Sequence, residues 1–148
     1  MKKFLSFVFI FVVAIILTGC GKKTITCEGD ITEGNITSAV KVTGNFENDK
    51  LKSQNIEMIF DMTDFLQFAD IHTYYNAFKE QYETFNDYEG ITSTVSQGEN
   101  TIKVVMEVDL ENVDEETYKR LDVGNGSLEV SSKAYIEEFK DMGLTCNK

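Results

Sequence analysis

Apolar residues recur along this chain at two different periods, and the change from one to the other lays out a fold. From Ile36 the period is two: Ile36, Val40, Val42 and Phe46 share one side of an extended segment, while Thr37, Lys41, Thr43 and Asn45 share the other. Asn48-Asp49 supplies a turn. Beyond it Ile56, Met58, Phe60 and Met62 continue the apolar side on a second strand, opposite Glu57 and Asp61. Thr24–Glu28 predicts a further short strand. Ile91, Ser93 and Val95, then Ile102, Val104, Met106, Val108 and Leu110, form another alternating pair around a Gly98-Glu99-Asn100 turn.

Between Asp64 and Asp87 the period becomes helical. Phe68, Ile71, Tyr75, Phe78, Tyr82 and Phe85 follow one another at steps of three and four, which puts all six on one stripe of an amphipathic helix. Asp64 and Gln67 read as its N-cap and N3 residues, and Gly90 ends the segment. The stripe is expected to be the core face of a helix lying on the sheet. Asp114–Leu121 predicts a short helix, broken by Gly124-Asn125-Gly126. Ser131 or Ser132 caps a last helix with Ile136, Phe139 and Met142 inward, Gly143 as a left-handed C-cap and Leu144 folding back. The expected architecture is α+β: an antiparallel sheet of about four or five strands, covered on one face by a long amphipathic helix and a C-terminal helix. Thr37, Lys41, Thr43, Glu57, Thr92, Thr94, Lys103, Glu107 and Asp109 then fall on an open, solvated face.

The N-terminal residues stand outside this pattern. Met1-Lys2-Lys3 is a basic start, Phe4–Leu17 an apolar run, and Thr18-Gly19 places small residues before Cys20, which is the arrangement of a bacterial lipoprotein signal peptide. The run of roughly 14 residues falls short of the ~20 needed to span a bilayer as a helix. Residues 1–19 are expected to be removed, Cys20 to carry acyl chains, residues 20–24 to act as a tether, and residues 25–148 to fold as one domain. The protein would then sit on the extracytoplasmic face of the cell membrane, with the bilayer as its first partner.

Charge narrows the remaining partners. The chain has 14 Lys and Arg against 25 Asp and Glu, and loss of Lys2 and Lys3 with the leader takes the net charge from −11 to −13. Such a surface repels nucleic acid. Lys22 and Lys23, next to the anchor, would each add ~1 kcal/mol to contact with anionic headgroups. With Cys20 acylated, Cys27 and Cys146 remain, and an even pair outside the cytoplasm is expected to form a disulfide. The alternative is two unpaired thiols. CxxC spacing, the mark of a redox or metal pair, does not occur.

The order of elements, the Cys27-Glu28-Gly29-Asp30 opening, the Val108-Asp109-Leu110 strand end before an acidic turn, and the Gly126–Gly143 stretch with Ser131-Ser132-Lys133 together resemble the small YehR-like bacterial lipoproteins. The resemblance covers most of the mature domain. It implies a fold and a location and brings no activity with it.

Candidate chemistry is sparse. His72 is the single histidine, so triads and multi-histidine metal sites cannot form, and it is expected as a partly buried neighbour of the aromatic stripe. Asp109, Glu111 and Asp114, with Glu115 and Glu116, are oxygen donors of the type calcium uses, but the EF-hand register fails at Val113. Helix N-termini attract acidic residues for dipole reasons as well, which accounts for Asp114–Glu116 without a metal. No cofactor is implied. The functional expectation is a non-enzymatic module for an envelope protein or small ligand, making contact through the Thr-rich sheet face or the acidic 109–116 turn. The alternative is an envelope-glycan hydrolase using paired carboxylates.

Overall fold

A computed structural model describes residues 21–123 and 125–147. Residues 1–20, where a signal peptide and an acylated Cys20 are expected, lie outside the described residues, as does Gly124. Six strands and three helices follow in the order β1 (Lys22–Glu33), β2 (Ile36–Glu47), β3 (Lys50–Asp61), α1 (Ile71–Glu83), β4 (Ile91–Gln97), β5 (Thr101–Asp109), α2 (Glu115–Arg120), α3 (Ser132–Asp141) and β6 (Thr145–Asn147). All strand pairs are antiparallel, and the sheet order is β4-β5-β3-β2-β1-β6. The α+β reading therefore holds, with six strands in place of four or five. The added strand is β6, three residues long and too short to show a period.

Three sequence boundaries move. First, β1 is a 12-residue strand paired with β2 along its whole length, from Lys22↔Glu47 to Glu33↔Ile36. Strand β1 thus starts two residues after Cys20, and most of the segment read as a tether is strand. Second, the long helix starts at Ile71, not near Asp64. Asp70 is its N-cap and accepts from the Thr73 backbone N–H at 3.0 Å. Residues Thr63–Phe65 and Thr84–Asp87 form separate 3₁₀ turns, and Phe68, read as the first stripe residue, is 76 % exposed in the loop before the helix. Third, the inward face of α3 is Tyr135 and Phe139, both 1 % exposed, while Met142 is 45 % exposed.

Other local expectations survive. Asn48 and Asp49 have φ of 51° and 61°, the left-handed pair that a tight two-residue hairpin turn requires. Ser131 caps α3 by accepting from the Ala134 N–H at 3.2 Å. At its other end the Leu144 N–H donates to the Phe139 carbonyl and the Gly143 N–H to that of Lys140, both at 2.9 Å, with Gly143 at φ 90°. This is a Schellman closure, and it turns the chain into β6.

The core is built in rows across the inner sheet face. One row runs Cys146, Cys27, Val42, Ile56, Met106, Ser93 from edge to edge, and Cys146 and Cys27 are directly opposed and disulfide-bonded. In the neighbouring row Gly44 leaves out a side chain, and the Tyr135 ring fills the space. A Cβ at Gly44 would stand 2.9 Å from both that ring and Leu51. The outer face is polar as expected, with side-chain bonds between Thr26 and Thr43 and between Asn45 and Ser53, and a 2.7 Å ion pair between Lys103 and Glu57. The exposed edge of β4 is blunted by Asn86, whose side-chain amide bonds both backbone groups of Ser93, at 2.6 and 2.9 Å.

Candidate functional site

The helical layer does not close over the sheet. Six strands span about 24 Å between the edge strands, whereas two helices of ~10 Å diameter cover about 20 Å. α1 packs on β4 and β5 at one side and α3 on β1 and β6 at the other, so the uncovered strip falls over β3 and β2. Half of that strip is sealed. Tyr118 of α2 and Tyr135 of α3 descend on the Gln54 row, where the Tyr118 hydroxyl donates to the Gln54 side-chain oxygen at 2.9 Å. Burial, reinforced by the charge of Glu138, pushes the Tyr118 hydroxyl up to about 12. Burial likewise raises that of Tyr135, which has no hydrogen-bond partner of good geometry although the Gln54 amide lies nearby.

The other half of the strip stays open as a groove of about 490 Å³. Its floor is aliphatic, thioether and aromatic surface from Val40, Met58 and Phe60, which gives way at the deep end to Val42, Ile56 and Met106, all buried. Tyr82 and Phe85 form the wall on the α1 side, and Leu121, Phe139 and Met142 the opposite wall. The Phe78 ring braces the first wall, packing edge-on to Phe60 at 4.8 Å and stacked on Tyr82 at 5.9 Å. No residue of α1 is fully buried. The aromatic stripe read from the sequence as core is thus divided: part of it covers β4 and β5, and part lines this groove.

Glu33, Arg120 and Asp122 bring charge to the rim. Arg120 Nη2 donates to Glu116 at 2.8 Å, and its Nη1 donates to the Tyr88 hydroxyl at 3.4 Å. Asp122 follows α2 at φ 51°, a left-handed position that Asp tolerates better than most residues, and its N–H donates to the Lys119 carbonyl at 3.2 Å. The Tyr82 hydroxyl is raised by burial and by the Glu33 carboxylate, which places that carboxylate toward the groove wall.

The residues singled out from the sequence lie elsewhere. Asp109 accepts from the Glu111 N–H and the Asn112 side chain, Glu111 pairs with Lys52 at 2.6 Å, and Asp114 caps α2 through the Thr117 N–H and hydroxyl. The Thr117 hydroxyl and N–H hold the Asp114 carboxyl below its ordinary range. Among the described residues no three His, Cys, Asp or Glu side chains converge as a cation site. His72 is exposed, where partial burial was expected, and it stacks on Tyr75 at 5.9 Å, away from the groove. The Thr-rich outer face holds an open depression of about 610 Å³ lined by Asn45, Ser53, Asn55, Thr92, Glu107 and Asp109. Its polar groups are already solvated, and no helix walls it, so a ligand would displace little unfavourable water there.

The groove carried one sequence signal. An inner sheet face six strands wide has more apolar surface than helices of 13 and 10 residues can cover. That signal needs the strand count, which the three residues of β6 conceal.

An open antiparallel sheet with one incomplete helical layer defines an α+β architecture with a groove on its inner face. No protein-family model and no curated protein matches the sequence significantly. Solved structures do match the fold. The NMR structure of the E. coli YehR protein is similar over 86 % of this chain and 94 % of its own, at 13 % identity and a TM-score of 0.64. An NMR structure of a protein from Streptococcus pneumoniae TIGR4 is similar over 85 % of each chain, at 13 % identity and a TM-score of 0.60. The fold is YehR-like.

Proposed function

We propose that this protein is an extracytoplasmic lipoprotein, held to the cell membrane by acyl chains on Cys20, whose domain captures a ligand with an apolar body in the groove over β2 and β3. The observation that carries the reading is an apolar groove between two helices, partly open at Val40, Met58 and Phe60, in a domain whose remaining inner face is covered. Position supports it as well. β1 runs from Lys22 beside the anchor to Glu33 at the groove rim, and 12 extended residues separate the two by about 35–40 Å. The groove mouth would therefore stand away from the bilayer, toward solutes of the envelope. Glycan hydrolysis draws no support from this geometry, since two carboxylates would have to face each other across a polar cleft and the floor here is apolar.

Two measurements test the proposal. Cys20→Ala is expected to leave the protein at precursor mass and unlabelled by an alkynyl fatty acid in cells. Normal processing of that variant would remove the anchor from the reading. A photo-crosslinking residue at Gln81, on the groove wall, is expected to trap a ligand in intact cells, whereas one at Thr94 on the outer face traps none. Capture from Thr94 alone would move the site to the open sheet face.

A further inference from the structure

We infer that the groove selects an amphiphile with a cationic head: its apolar chain lies on Val40, Met58 and Phe60, and its ammonium group sits at the rim that Glu33 and Asp122 line. This rests on the reading of the groove as the ligand site and adds the chemistry of the ligand's head. The floor fixes the body, because only an apolar chain gains by displacing water from aliphatic and thioether surface.

The rim fixes the head. Three charged residues line the groove, and Arg120 is already neutralised by Glu116 at 2.8 Å. Among the described residues neither Glu33 nor Asp122 takes part in an ion pair. The uncompensated charge at the mouth is therefore negative. Both carboxylates project from ordered backbone. Asp122 sits on a backbone fixed by its left-handed φ and its bond to Lys119, and Glu33 ends a strand paired through its last residue with Ile36. The charge on Glu33 also acts on the half-buried Tyr82 hydroxyl in the wall, so it is felt inside the groove and not only in bulk water. An anionic chain such as a fatty acid would meet these carboxylates and the surplus of 25 acidic over 14 basic residues in the whole chain.

The test uses the full chain in nanodiscs of zwitterionic lipid, with ¹³C-methyl methionine as the reporter. Met58 and Met142 line the open part of the groove, and Met62, 2 % exposed and outside it, serves as the internal control. The probes are octylammonium, octanoate and octanol below their micellar concentrations. Octylammonium is expected to shift the Met58 and Met142 methyls and leave Met62 unmoved, binding about five- to tenfold more tightly than octanoate, the gain from two solvent-exposed charge contacts. Glu33→Gln combined with Asp122→Asn is expected to abolish that preference while octanol titrates as before. Equal titration by octylammonium and octanoate in the unmodified protein would overturn the cationic head and leave the groove reading intact. Failure of all three probes to move Met58 and Met142 would overturn both.

Discussion

Replacing Cys27 and Cys146 together by alanine is expected to lower the unfolding free energy by up to about 5 kcal/mol, the chain-entropy value for closing a loop of this length. The two cysteines are 119 residues apart in sequence, so the bond restricts almost the whole unfolded domain. Its folded-state role is local. β6 contributes three residues at the sheet edge, paired only with Thr26, Cys27 and Glu28, too few to hold a strand by backbone hydrogen bonds alone. Without the bond, β6 is expected to fray, and the Leu144 contact that closes α3 loosens with it. Urea unfolding of the oxidised protein, the reduced protein and the double variant measures this. The last two should coincide and lie well below the first, and a loss under about 1 kcal/mol would show that the helix closure secures the chain end unaided.

Phe139→Ala is expected to destabilise the domain by about 3–5 kcal/mol, the usual cost of deleting a fully buried phenyl ring. Phe139 is 1 % exposed, packs edge-on to Tyr135 at 4.7 Å, and belongs to the group that seals the sheet centre. Phe78→Ala is expected to cost about 1–2 kcal/mol, because a half-buried ring on a groove wall leaves no closed cavity when removed. The periodicity puts Phe78 at the centre of the core, where the two substitutions would cost the same. Denaturant midpoints of the two variants separate these cases. Equal losses would show that α1 covers the groove in solution, and the ligand site would then be closed.

What could be read along the chain was whatever depends on near neighbours. Alternation in β2, β3, β4 and β5, the Asn48-Asp49 turn, the Ser131 cap and the Gly143 closure each involve contacts within a few residues, so the side chains themselves report them. The helix start was misplaced for a physical reason. Phe68 stands at helical spacing from Ile71 but lies ahead of the Asp70 cap, and periodicity cannot distinguish an aromatic residue inside a helix from one in the turn before it. The full length of β1 was obscured because its last five residues, Gly29–Glu33, read Gly-Asp-Ile-Thr-Glu, with only one apolar residue, Ile31.

Sequence alone determined the α+β class, the two-faced sheet, the acidic surface, and the signal pattern ending at Cys20, which lies outside the described residues. The pairing of Cys27 with Cys146 was an arithmetical expectation, and the antiparallel register of β1 and β6 brings the two residues opposite each other. Only the tertiary structure decided that a groove is left over the sheet. That outcome depends on how far apart α1 and α3 settle on the sheet, and the separation follows from sheet width, from Gly44 admitting the Tyr135 ring, and from Tyr118 reaching Gln54 across 64 residues of chain. Local patterning says which face of each element is apolar. Whether an apolar face is covered or left bare depends on every other element competing for it.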